Sequence, residues 1–196
     1  MDGRGGIRGY CPRMELVAPS PERLDDYLDS VRRGWMGDRV LFGSADALVE
    51  LAARDRGAVL ARLTDRSADG VRYFSDGSTG PALPALFRWM WDGQFVGNID
   101  LRWPRAGEPL PEDVPGHIGY GTVEWLRGCG YATRGLALML DLARGEGMSE
   151  VELVTDVENV ASQRVVARNG GVRGEEFTLP ERIGGAQAYR WRIALA

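Results

Sequence analysis

The sequence predicts an α/β domain whose sheet is mixed, mostly antiparallel, and flanked by helices. Three observations carry that prediction. Helical and strand-like periodicities succeed one another in the order helix, helix, hairpin, strand, helix, strand, helix, hairpin. Asp92-Gly93 lies between two alternating apolar runs, a strong hairpin-turn signal. A glycine-rich turn, Arg127-Gly128-Cys129-Gly130-Tyr131-Ala132, joins a strand-like run to a helix-like run, as a parallel crossover does.

Taken in order, residues 1–13 are rich in Gly and Arg, lack periodicity and read as a flexible lead-in, with Met14 as an alternative start to Met1. Residues 14–196 form one domain. Pro21 to Arg32 repeats Leu24, Tyr27, Leu28 and Val31 at helical spacing, with Ser20 and Pro21 at N-cap and N1. Asp46 to Arg54 is a second helix with Ser44 near its start. Residues 64–80 are rich in Asp, Ser and Gly and read as a loop over a site. Leu86–Trp91 and Phe95–Trp103 are the hairpin strands, and a Pro- and Gly-rich loop then leads to a strand from His117 to Trp125. The helix after the glycine turn, Thr133 to Arg144, carries an apolar stripe of Ala132, Leu136, Met139, Leu140 and Ala143. Glu150–Thr155 is a strand, Asn159–Arg168 a helix with Asn159 as cap, and Asn169-Gly170-Gly171 ends it. Two final strands, Val172–Phe177 and Gln187–Leu195, flank the turn at Gly184-Gly185.

Composition narrows the chemistry. The chain has 196 residues, 44% hydrophobic and 27% charged, the balance of a soluble globular domain. No apolar run reaches the ~20 residues that span a bilayer, and two cysteines make no disulfide framework; a cytoplasmic setting without membrane contact is expected. A net charge of −4 argues against nucleic acid as partner but leaves room for a local basic rim. All 24 basic residues are arginine, so phosphate-binding, Schiff-base and general-base lysines are excluded. His117 is the single histidine, which excludes multi-His metal sites, and no metal is expected. No Gly-x-Ser-x-Gly elbow is present.

A glycine-rich turn opening a helix leaves backbone N–H groups pointing outward at the positive end of the helix dipole, a geometry that binds anions such as a pyrophosphate. A tight turn needing small residues is the plain alternative. A dinucleotide-binding reading fits poorly, because Thr133 stands where the third glycine belongs.

The wider pattern is more specific. HIGYG…RGCGYATRGLALMLDLAR, followed by VELVTDVENVASQRVVARNGG and preceded by FVGNIDLRW, resembles the GNAT N-acetyltransferase superfamily, closest to a bacterial branch of uncharacterised acetyltransferases. The resemblance implies the GNAT acyl-CoA N-acyltransferase fold, with strands splayed at the cofactor site. It implies acetyl-CoA as cosubstrate and a small-molecule or peptide amine as acceptor, acetylated by direct transfer in a ternary complex. Backbone amides of Gly128, Cys129, Gly130, Tyr131, Ala132 and Thr133 would cradle the pyrophosphate beside Arg127. Peptide groups of Val123 to Trp125 would pair with the pantetheine as an added strand does. Asn159 and Ser162 match positions that approach the pantetheine arm; helix capping is their other reading.

Two positions depart from the family's pattern: Cys129 fills a slot often basic, and Val166 stands where a thiolate-protonating tyrosine is usual. His117 occupies the family's position for a base, with Glu124 as a further candidate on the opposite face of the strand, and Tyr120 is the substitute acid. A GNAT-fold module that binds acyl-CoA without turning it over, as a sensor or partner domain, is the competing function. Trp35, Trp89, Trp91 and Trp103 either line the acceptor pocket or fill the core, with core the expectation. The chain is a monomer or a homodimer, and the apolar Gln187–Leu195 strand is a candidate pairing edge.

Overall fold

The computed structural model describes residues 13–36, 39–105 and 108–195. The proposed lead-in therefore lies, apart from Arg13, outside the described residues, as does Cys11.

Strand β1 (Glu15–Val17) leads to a 3-10 turn at Pro21–Arg23 and helix α1 (Leu24–Arg32). Three further helices follow: α2 (Arg39–Phe42), α3 (Ala45–Arg54) and α4 (Arg56–Thr64). Ser44 Oγ caps α3 by accepting from Ala47 N at 3.1 Å, and Asp55 Oδ1 caps α4 by accepting from Ala58 N at 2.9 Å. The sequence reading missed α2, a single turn, and α4, whose apolar spacing is interrupted by Gly57 in its first turn. The expected loop at 64–80 instead holds a small hairpin, β2 (Val71–Tyr73) paired with β3 (Thr79–Pro81).

The main hairpin is β4 (Ala85–Trp91) and β5 (Phe95–Arg102), turning at Asp92-Gly93 as expected, with β6 (Ile118–Thr122) pairing on its far side. Then come α5 (Tyr131–Gly145), β7 (Glu150–Asp156), α6 (Val160–Arg168), β8 (Val172–Thr178) and β9 (Gln187–Ala194). One sheet has the order β1-β4-β5-β6 and a second the order β7-β9-β8. Among the described residues every ladder is antiparallel. The parallel pairing expected around the glycine turn is absent as a ladder: β6 and β7, which flank α5, touch through an isolated bridge between Gly116 and Leu153. From that apex they diverge, as the splayed-strand expectation requires. Gly116 makes the apex possible, since at its φ of +77° a Cβ would lie 2.5 Å from Glu152 O.

Apolar side chains pack on both faces of the first sheet. Leu136, Met139 and Ala143 of α5 meet Met90, Ile99, Leu101 and Ile118 on one face. Tyr27, Leu28 and the α3–α4 pair cover Phe87, Trp89 and Phe95 on the other. Trp89 is fully buried, stacked on Tyr27 with ring centroids 4.9 Å apart. Trp91 and Trp103 lie under the guanidinium groups of Arg23 and Arg66. In α5 the core-facing residue of the first turn is Tyr131, not Ala132. Strand β9 pairs on both sides, with β7 and β8, so the Gln187–Leu195 segment is no free edge for dimerisation.

Candidate active site

The turn between β6 and α5 begins earlier than the sequence suggested. Strand β6 ends at Thr122, and Glu124–Leu126 form a 3-10 turn. Val123 is fully buried and its N–H donates to Val96 O at 2.9 Å. Its carbonyl and that of Glu124 accept from Leu126 N and Arg127 N. The Val123 peptide groups and the Glu124 carbonyl are thus paired within the protein, not left open as the sequence suggests.

That edge lies one step back. The bonds Arg102 N to His117 O, at 2.8 Å, and Val123 N to Val96 O set the phase of the β5–β6 ladder. In an antiparallel pair the bonded and non-bonded residues alternate, so the peptide groups of Ile118, Tyr120 and Thr122 turn away from β5. They face the gap that opens between β6 and β7.

The turn itself is built on two left-handed glycines, Gly128 at φ +79° and Gly130 at φ +84°, the latter the N-cap of α5. The first intrahelical bond runs from Arg134 N to Gly130 O at 3.1 Å, which leaves the amides of Ala132 and Thr133 without a helix carbonyl to donate to. The Tyr131 side chain points into the protein and donates from its hydroxyl to Asp92 Oδ2 at 2.7 Å, tying the turn to the β4–β5 hairpin. Cys129 is exposed, and its side chain stays outside the lining of the adjoining cleft.

That cleft, of about 810 Å³, runs from the glycine turn to α6. Its walls include the turn, Tyr120 to Thr122, Asn159, Ser162, and Arg33 to Met36 after α1. Arg33, Arg127, Arg164 and Arg168 face it, against Glu124 as the opposing carboxylate. In a protein of net charge −4 this is a local basic rim suited to a polyanion. Trp125 stands at the mouth with the Arg33 guanidinium 3.7 Å from its ring centroid. The Trp35 ring closes over Gly121, where a Cβ would lie 2.7 Å from Cη2. Trp35 is buried in the core as expected and also borders this cleft; Arg33 carries no sequence signal, because nothing in the end of an early helix tells which later strand it will meet.

Asn159 Oδ1 accepts from Ser162 N at 3.0 Å, so the capping reading holds while both residues also line the cleft. Tyr120 Oη and Ser162 Oγ are 2.7 Å apart. Burial pushes the Tyr120 hydroxyl above its ordinary pKa, partly offset by the bond to Ser162, so it carries its proton at neutral pH. Val166 is fully buried and Gly171 is closed against it, so that position presents nothing to the cleft. Glu124 sits on the 3-10 turn rather than the strand, largely exposed and 3.7 Å from Arg127.

His117 lies at the other end of β6, next to the apex. It borders a second cavity of about 470 Å³, together with Glu152 and Arg190. The His117 amide donates to Glu152 O at 2.7 Å, and its ring Nδ1 accepts from Glu152 N at 3.0 Å. Burial is the main influence on the ring and lowers its pKa; the Glu152 carboxylate works against the shift. At neutral pH the ring is therefore uncharged, and with the Nδ1 lone pair committed its proton sits on Nε2. Such a ring donates from Nε2; it has no lone pair there to remove a proton from an amine. Glu152 was missed as a site residue, although a glutamate in the strand Glu150–Thr155 one step out of phase with Val151 and Leu153 was a legible sign. Arg190 Nη1 meets Glu152 Oε1 at 2.6 Å.

None of the tryptophans borders this second cavity. Among the described residues no group of three or more His, Cys, Asp or Glu is arranged to hold a metal ion, and no helix is long and apolar enough to cross a membrane.

Comparison with known proteins places this geometry. The family described as an acetyltransferase (GNAT) domain matches residues 13–172. Among curated proteins no sequence matches. Solved structures share the fold at low identity. The microcin C7 self-immunity acetyltransferase MccE, determined with acetyl-CoA and AMP, superposes with a TM-score of 0.61 at 11% identity, covering 98% of this chain and 97% of that one. RimL, a ribosomal L7/L12 alpha-N-protein acetyltransferase determined with coenzyme A, gives 0.58 at 16% identity over 94% and 95%. Spermidine N-acetyltransferase from Vibrio cholerae, with CoA and spermine, gives 0.54 at 14% identity over 93% and 95%.

Proposed function

The chain belongs to the GNAT acetyltransferase family, and from that premise we propose that it is an acetyl-CoA-dependent N-acetyltransferase that transfers directly to an amine in a ternary complex. The observation that carries the reading is the gap between β6 and β7, with a basic, amide-lined cleft at one end and a second cavity at its apex.

The residues fit the cosubstrate. Ala132 and Thr133 amides at the N-terminus of α5, with Arg127, Arg164 and Arg168 nearby, suit a pyrophosphate and a further phosphate. Peptide groups of Tyr120 and Thr122 along the open edge of β6 suit the amides of a pantetheine arm. Acetyl-CoA supplies an activated acyl carbon: the C–N bond forms, the C–S bond breaks, and the electron pair leaves on sulfur.

Two proton transfers complete the balance. The Tyr120–Ser162 pair borders the gap and holds a proton that the departing thiolate can take, in place of the missing tyrosine at position 166. The amine proton passes to the Glu152 carboxylate, directly or through one water. We assign this role to Glu152 rather than His117 because its carboxylate borders the cavity while the His117 ring meets Glu152 as an acceptor at Nδ1. His117 then holds the β7 backbone, and with it Glu152, in place.

The non-catalytic reading draws on one observation, the buried Val166 at the usual acid position. The two are separated by an amine-panel assay that follows free CoA thiol. Thiol release that depends on the amine supports the enzyme. Tight acetyl-CoA binding with no release from any amine would leave the binding module.

A further inference from the structure

The cavity at the apex has an uneven chemistry, and the geometry points to an acceptor with a single ammonium head on an apolar body. This rests on the N-acetyltransferase reading and names the substrate class of that same site.

The cavity holds about 470 Å³, within the ~300–1,000 Å³ span of small-molecule sites. Its walls come from two connections that converge on it. Val114 and Pro115, from the segment before β6, face Phe177 and Leu179 at the end of β8. Its polar groups, besides Thr178 and Glu112, are Glu152, His117 and Arg190, which cluster where β7 meets β9 and the start of β6. Arg190 already faces carboxylates: its guanidinium lies 4.6 Å from the Phe177 ring centroid, donates from Nη1 to Glu152 Oε1 and has Glu175 3.7 Å from Nε. With the neutral His117 ring beside it, this cluster offers one anionic group, Glu152, whose Oε2 remains to receive an ammonium.

The next carboxylate bordering the cavity, Glu112, is exposed at the rim, where water screens it. A polyamine placed with one ammonium on Glu152 would lay its second among Val114, Pro115 and Leu179, a buried charge without a partner. An alkyl or aryl body covers the same surface at no such cost.

The walls are held by Asp113. Its carboxylate is 3% exposed and lies between two guanidinium groups, Arg72 at 2.5 Å and Arg182. Arg72 belongs to the β2–β3 hairpin and Arg182 to the β8–β9 connection, so one buried anion joins both to the segment carrying Val114 and Pro115. Both guanidinium groups also lie over the Phe74 ring. Asp113 is a positioning residue for the acceptor cavity.

The test uses the full chain saturated with CoA and measures binding of 2-phenylethylamine and spermidine by calorimetry, with thiol release from acetyl-CoA in parallel. The expected result is at least tenfold tighter binding of 2-phenylethylamine. Glu152→Gln should weaken it at least tenfold with CoA affinity unchanged, and Asp113→Asn should raise its KM more than it lowers kcat. Spermidine binding as tightly as 2-phenylethylamine, or Glu152→Gln at wild-type affinity, overturns the inference. If 2-phenylethylamine binds as described but releases no thiol, the inference stands and the catalytic reading falls. Should Asp113→Asn not fold, Arg182→Ala tests the same clamp from its exposed partner.

Discussion

Tyr120 Oη and Ser162 Oγ stand 2.7 Å apart across the opening between β6 and α6, at the place where Val166 withdraws into the core. A hydroxyl pair can hand on a proton that neither group has to lose outright, because one hydroxyl donates to the sulfur while the other donates to it. Tyr120→Phe and Ser162→Ala should each lower kcat by about 10–100-fold, at or below the ~10²–10⁴ of a full general acid, since a thiolate leaves readily. The two losses should not multiply in the double variant, because one relay is broken either way. Wild-type kcat in Tyr120→Phe, measured by thiol release, would remove the pair from the mechanism.

The His117 ring makes stability depend on pH in a definite direction. Burial lowers its pKa in the folded protein below the ~6.5 of the unfolded chain, so between the two values the unfolded state binds more protons. The ring's contribution is therefore complete above about pH 6.5 and is lost as pH falls toward the folded pKa. Protonation also destroys the acceptor at Nδ1 and leaves the Glu152 N–H facing a donor. Denaturant titrations from pH 7.5 to 5 should show a loss of stability in wild type that is smaller in His117→Gln. Equal slopes would mean that the ring is not held neutral by the fold.

What the sequence made legible divides along local and non-local lines. The Asp92-Gly93 turn, the Asn159 cap and the helix start near Ser44 were readable because each depends on neighbours within four residues. The extent of β6 was not: the run to Trp125 alternates well enough, but Val123 is drawn to Val96 O and the chain then tightens into a 3-10 turn. Neither partner is visible in the local pattern. The hydrogen bonding of His117 was illegible for a similar reason. Position along the strand suggested a base, whereas the tautomer is set by the amide of Glu152, 35 residues away. Glu152 and Arg190, which border the same cavity, come from different strands of the second sheet, and only their pairing register brings them together.

The cleft's arginines set a prediction for the cosubstrate. Arg33, Arg127, Arg164 and Arg168 border it and lie near the surface, so their attraction for phosphates is screened by salt. Acetyl-CoA affinity should fall several-fold between 50 and 500 mM NaCl. Gly130→Glu should lower it far more at either salt, because a carboxylate and a strained φ of +84° enter together at the helix N-terminus. Calorimetry on Gly130→Glu returning wild-type affinity would show that the pyrophosphate lies elsewhere.

Gly116 links fold and function most directly. It is where the two sheets touch, and its φ of +77° with Glu152 O only 2.5 Å from a notional Cβ admits no side chain without movement. The neighbouring contacts, His117 N to Glu152 O and Glu152 N to His117 Nδ1, depend on that close approach. Gly116→Ala should therefore cost about 1–3 kcal/mol of stability, from a left-handed alanine and from separation of the strands. The separation displaces Glu152 from the base of the acceptor cavity but leaves the α5 N-terminus untouched, so KM for the amine should rise while acetyl-CoA affinity stays near wild type. A variant that lost both affinities together would mean that the apex carries the whole cleft rather than its acceptor end.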